Sequence, residues 1–208
     1  MLLLKRKELN ISNLNKGQFE NVNDNFYQLS FDQNPAYEIT IKDTTIETCK
    51  FNKIDFSRIK LINTHLVNCL FENCDLSNLE FDRVSIHCCH FINCRMTGIS
   101  FIDCSLHDLL FQDVQARYLN ISFGNIRSSE FIDSCLDEGS FLEVDVKDLI
   151  FKNVSFRYGE VFKTSLQGID LKTVDIEGLQ VDLPSLKGAH VDIYQAASLA
   201  RLLGVIVE

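Results

Sequence analysis

Proline is almost missing from this chain, at two residues in 208. Without proline-rich linkers to divide it, the chain is expected to form one domain long enough to bury a core. Long apolar runs are missing too. No stretch approaches the ~20 apolar residues of a membrane-spanning helix, and the run in MLLLKRKELN is too short for a signal-peptide core. A non-membrane, cytoplasmic protein is the expectation. Bases are in short supply, 20 against 29 acids, which leaves a net charge of −9. That balance disfavours nucleic-acid backbone and anionic membrane as ligands and leaves basic protein surfaces as partners. No GxGxxG, P-loop or HExxH stretch occurs. With no catalytic constellation either, neither an enzyme nor a cofactor is expected.

What is present is a period of five. Stepping by five from Ile41 to Val191 meets an apolar residue at all 31 positions. Helices repeat at about 3.6 and strands at 2, so neither element accounts for it. The position two before each centre is small or aliphatic almost throughout, as at Cys49, Ile54, Ile59, Thr64, Cys69 and Cys74. It relaxes at Gly124, Ser129, Gly139 and Gly159, and Pro184 is a misfit. Residues 41–191 hold 22 acids and 15 bases, and none of them falls on either position. Burying a lone charge is costly, so these two positions must face inward.

A longer period overlies the first. Phe51, Phe71, Phe91, Phe111, Phe131 and Phe151 recur every 20 residues, whereas the series from Ile46 to Val146 contains no aromatic. Four pentads therefore make one coil, and the expected fold is an all-β solenoid, square in section. Coils spaced at about 4.8 Å give a rod of roughly 37 Å before its ends are added.

The stretches Cys74-Asp75-Leu76-Ser77-Asn78, Ile54-Asp55-Phe56 and Ile169-Asp170-Leu171 resemble the consensus of the pentapeptide-repeat family. The resemblance implies a right-handed quadrilateral β-helix over residues 41–191.

Six of the eight cysteines, Cys49, Cys69, Cys74, Cys89, Cys94 and Cys104, occupy the small inward position. They read as buried thiols, because parallel side chains in a column lack disulfide geometry. Cys88 and Cys135 fall on outward positions. His87 and His107 lie 20 apart, so they should stack on adjacent coils beside Cys88 and Asp108. That corner reads either as a solvated turn or as an adventitious Zn²⁺ or Ni²⁺ site.

The ends depart from the pattern. Leu9, Leu14 and Phe19 step by five out of phase, and the inward pattern degrades between Asn23 and Tyr37, with Asp24 and Asn34 at inward places. Residues 1–40 read as an irregular cap or first coil with a loop near Asn34 and Pro35. At the other end, Asp192 and Gln195 form the signature of a capping box. A helix is expected over Tyr194–Leu203, stopped by Gly204, then a strand over Val205, Ile206 and Val207. The apolar helix face and unpaired strand, Tyr194, Ala196, Leu199, Leu202, Leu203, Val205, Ile206 and Val207, suggest that residues 192–208 are a tail-to-tail dimerisation module; the alternative is a helix that only caps its own solenoid.

Asp192, Tyr194, Gln195, Ala196, Leu199, Leu203, Gly204, Val205 and Val207 also resemble the tail of the Qnr-type quinolone-resistance proteins. That resemblance implies a homodimer binding DNA gyrase and topoisomerase IV by imitating the shape and charge of B-form DNA, without binding nucleic acid itself. Residues 130–148 supply a candidate acidic contact belt: Glu130, Asp133, Asp137, Glu138, Glu143, Asp145 and Asp148 against Lys147 alone. Positions 41–191 run without insertion, so the projecting loops that the resemblance links to drug protection are absent from the body. Inhibition or protection of gyrase are both open. The alternative is a non-enzymatic scaffold with a different protein partner.

Overall fold

Strands pair in parallel, each with its counterpart one coil on: Phe51 with Phe71, Phe71 with Phe91 and Phe91 with Phe111 in one column, Phe81 with Phe101 and Phe101 with Ile121 in another. A third side is held by single bridges running from Asp55 through Asp75, Arg95, Gln115 and Cys135 to Ser155. The computed structural model describes residues 9–19 and 26–206, and these form a β-solenoid of about 8 coils with about 20 residues per turn.

Each corner is made the same way. Every fifth position from Asp43 to Lys163, Arg58 alone excepted, has a left-handed φ. L-residues pay for that conformation except glycine and, to a lesser degree, Asn and Asp. The sequence answers accordingly: about half of the non-glycine corners are Asn or Asp, and only Thr48 is β-branched. A tally of this outward position alone would have located the corners.

The core is a column of rings. Phe31, Phe51, Phe71, Phe91, Phe111, Phe131 and Phe151 stack with centroids 4.4 to 5.6 Å apart and planes within 16°. Each such pair adds about 0.5–1.5 kcal/mol beyond the area it buries. Beside the rings, the small inward residues act as donors. Cys69 Sγ lies 3.3 Å from the carbonyls of both Ile46 and Val67, and Thr64 Oγ1 lies 3.1 Å from those of Ile41 and Ile62. The short S–H or O–H of Cys and Thr reaches a carbonyl of its own coil and one of the coil before, whereas Ser129 and Ser134 donate to a carbonyl of their own coil and accept the Leu109 and Val114 N–H of the coil before. At Gly124 even a methyl fails, since a Cβ would lie 2.3 Å from the Cys104 carbonyl oxygen.

The N-terminal region is more regular than its sequence suggests. Phe26 pairs with Ile46 and Phe31 with Phe51, so the register is already in place before residue 41. Ahead of it, Asn15 pairs with Leu29, which makes that coil shorter than the others. The shortened coil is what breaks the five-residue count, and Phe19 closes the ring column at 4.4 Å from Phe31. Asn34 and Pro35 lie in a loop between the strands Leu29–Phe31 and Ile39–Glu47 that is held against the body: the Asn34 side chain accepts the Asp55 N–H at 2.8 Å, and Pro35 is buried. Asp24 lies outside the described residues.

At the far end, Pro184 ceases to be a misfit, because it opens a short helix, α1 (Leu183–Leu186). Helix α2 (Ile193–Ala200) follows behind the complete Asp192–Gln195 capping box and continues as a 3-10 turn to Leu203. Gly204, at φ 75°, stops it. No helix among the described residues is long and apolar enough to cross a membrane.

Candidate functional site

The charged belt is built by stacking. Corner and flank residues of one coil face their counterparts on the next, so acids and bases meet across coils. Arg117 pairs with Glu138, Arg127 Nη2 lies 2.6 Å from Asp145 Oδ2, and Lys163 Nζ lies 2.7 Å from Glu143 Oε1. Three of the seven belt acids are therefore paired. Asp137 serves the backbone: burial opposes its ionisation, but Ser155 Oγ at 2.5 Å and the Arg157 N–H at 3.0 Å outweigh it and hold the carboxyl below its usual range. Glu130 is half-buried. The exposed belt acids without an ion pair among the described residues are Asp133, which accepts from Asn153 Nδ2 at 2.9 Å, and Asp148. Outside the belt but in the same half, Asp103, Glu160 and Asp113, the last one coil before Asp133 in the same corner column, are likewise exposed without an ion pair.

A coarser feature is stronger than the belt. Residues 1–100 hold 12 acids and 11 bases, whereas residues 101–208 hold 17 acids and 9 bases. The net charge is thus −1 in the first half and −8 in the second. A window confined to 130–148 was too narrow to show this.

The acidic half ends in exposed apolar surface. Ile193, Tyr194, Leu203 and Ile206 are 78, 82, 62 and 84 % exposed. Leu199 instead packs against the protein's own core. A shallow groove runs between Leu186, Ala189 and Val191 of the last coil and Ala196, Leu199 and Leu203 of the tail. Gln195 Nε2 secures α2 by donating to the carbonyls of Leu171 and Val174 at 2.8 Å each, which caps part of the open sheet edge. Val205 and Ile206 pair with no strand among the described residues of this chain. Val207 lies outside the described residues.

Most of the thiols with a shifted pKa are raised by burial, while the hydrogen-bonded neighbour Cys94 holds Cys74 below its usual range. Burial, helped by Cys69, pushes Cys49 up to about 12. Its hydrogen-bonded neighbour Cys74 and burial raise Cys94, and burial raises Cys104. Cys88 keeps its corner position but is covered there: it is 2 % exposed, with its sulfur 3.9 Å from Asn68 Oδ1. Cys135 is half-buried. His87, His107 and Asp108 do come together, with ligand atoms within 4.8 Å of one another.

Comparison with known proteins agrees with this geometry over the middle of the rod. Residues 64–141 match the family model described as pentapeptide repeat region. This stretch is a pentapeptide-repeat region. Among solved structures, a trypsin-treated variant of QnrB1, a plasmid-mediated fluoroquinolone resistance protein, is 20% identical, with 88% of this chain and 89% of that one covered and a TM-score of 0.46. Full-length QnrB1 is 16% identical over 86% of this chain and 89% of that one, at 0.45. HetL, a pentapeptide repeat protein involved in heterocyst differentiation regulation from the cyanobacterium Nostoc, is 14% identical over 80% and 89%, at 0.22. Likenesses this loose carry no argument about function. No curated protein matches the chain.

Proposed function

We propose that the protein is a binding rod that imitates the charge of a DNA duplex and docks on the basic DNA-binding face of a type II topoisomerase such as gyrase. The observation that carries this reading is the charge asymmetry. Residues 101–200 hold 16 acids and 8 bases, a net −8 over roughly 25 Å of axis at about 4.8 Å per coil. That is one uncompensated charge per about 3 Å, within a factor of two of the one per ~1.7 Å of B-DNA. The first half has no such field. The paired acids Glu138, Glu143 and Asp145 belong to the rod's own stability, and Asp113, Asp133 and Asp148 are the better contact charges. A second copy docking through the apolar tail would bring two acidic halves together at the centre of a dimer, with the near-neutral halves outermost.

One observation favours a different partner. Tyr118, Phe123 and Tyr158 stand about half exposed at corners of the same acidic half. Such aromatic edges suit a protein interface better than a polyanion mimic.

The test is a gyrase supercoiling assay titrated with the purified protein, with and without a fluoroquinolone. Inhibition that added DNA competes away supports mimicry, and relief of the drug's effect adds protection. No effect in either arm overturns the reading in favour of a scaffold.

A further inference from the structure

Beyond the acidic half, one cluster of side chains has a chemistry that partner binding does not use. His87 and His107 occupy paired positions on the strands Ser85–His87 and Ser105–His107 of adjacent coils. Their rings stand 5.9 Å apart and inclined at 50°, so they are not stacked flat on each other. Asp108 sits between them at the corner. Its Oδ2 is 3.1 Å from His87 Nε2 and 3.8 Å from His107 Nδ1. The three side chains are 34, 41 and 15 % exposed, so the carboxylate is the sheltered member and the imidazoles form the rim.

The geometry points to a divalent transition-metal site formed by His87, His107 and Asp108, with Zn²⁺ the best-suited ion. Zinc binds imidazole nitrogen at ~2.0–2.1 Å and carboxylate oxygen at ~2.0–2.2 Å, which in a tetrahedron spaces ligand atoms about 3.3 Å apart. The two distances to Asp108 straddle that value. The imidazole nitrogens have only to close towards each other, and both rings are exposed enough to turn. Two nitrogen donors favour zinc, cobalt or nickel over calcium or magnesium, which take oxygen ligands.

Nearby groups do not oppose the ion. Arg127 follows His107 in the ladder, but its guanidinium is engaged with Asp145 at 2.6 Å. The Cys88 thiol, buried beside Asn68, does not join the three. With three protein ligands, the fourth position opens to solvent and takes a water. Bound there, the ion ties two successive coils together from outside the core, adding to the ladder hydrogen bonds and the His87–Asp108 contact. It also sits at the start of the acidic half.

The test is calorimetry of the metal-free protein with ZnCl₂, with MgCl₂ as control and the visible absorption of the Co²⁺ form as a readout of coordination. One Zn²⁺ per chain is expected, a tetrahedral Co²⁺ spectrum, and no heat with Mg²⁺. Asp108→Asn preserves the left-handed corner, which Asn tolerates, and His107→Ala removes a rim ligand. Each should weaken Zn²⁺ at least tenfold while the metal-free Tm stays as in the wild type. Cys135→Ser, at the half-buried thiol, should leave binding unchanged. Absence of Zn²⁺ binding overturns the assignment, as does affinity retained in both ligand variants or lost in Cys135→Ser.

Discussion

The two halves of the rod share one inside and differ on the outside. From Phe31 to Phe151 the rings stack without a break, and the corners keep the same left-handed turn on both sides of residue 100. The surface charge meanwhile falls from −1 to −8 between the halves. The ends differ as well. At the first, Phe19 covers the ring column, and Asn10 folds back along the flank to exchange hydrogen bonds with Asn68 at 3.0 and 2.6 Å. At the second, the helix caps part of the edge and then presents Tyr194, Leu203 and Ile206 to solvent. Two positions in each pentad fill the core and a third turns the corner; the outward side chains can still carry a function, and only one half has used that freedom strongly.

Breaking the shared inside should harm both halves alike. Phe71→Ala and Phe111→Ala each remove a fully buried ring from the same column. Each should lower unfolding stability by about 3–5 kcal/mol, measured by chemical denaturation. A loss below about 1 kcal/mol in either would mean that the column is not the common support.

The ends should part company next. Leu203→Asp with Ile206→Asp alters exposed tail residues and leaves the core untouched. The wild type should sediment as a dimer and this variant as a monomer with unchanged Tm. A wild-type monomer, or a dimer that survives the change, would remove the tail as an interface.

The smallest effect is on pH. Asp55 is held below its usual carboxylate range by the Ser57 N–H, Asp170 by the Lys172 N–H and Asp182 by the Ser185 hydroxyl, with Asp137 held down by Ser155 and Arg157. Groups depressed in the folded state stabilise fully above their unfolded value of about 3.9 and lose that contribution as pH falls through the folded values. Tm should therefore stay level from about pH 7 to 5 and drop below about pH 4. Three of the four lie in the acidic half, so hydrogen exchange in mild acid should quicken there first. A Tm already falling between pH 7 and 5 would contradict this.

The register was legible because inward positions tolerate no charge, and the capping box because its two residues act within one turn. The shortened first coil was not, since a chain that cuts a coil short leaves no phase to follow back to Phe31. Pairing of Glu138, Glu143 and Asp145 escaped because each partner sits on a neighbouring coil and meets its acid only once the coils are stacked. The burial of Cys88 left no signal in its outward position. His87, His107 and Asp108, by contrast, could be brought together from the coil period alone.

The central claim is that the second half, and not the first, carries the contact charges. The direct measurement is gyrase affinity across a salt series for two triple variants: Asp113→Lys, Asp133→Lys and Asp148→Lys in the acidic half, and Glu38→Lys, Asp43→Lys and Glu80→Lys in the other. Wild-type binding should weaken steeply with salt, fall by at least a hundredfold in the first variant and change little in the second. Equal losses in both, or wild-type affinity indifferent to salt, would contradict the account.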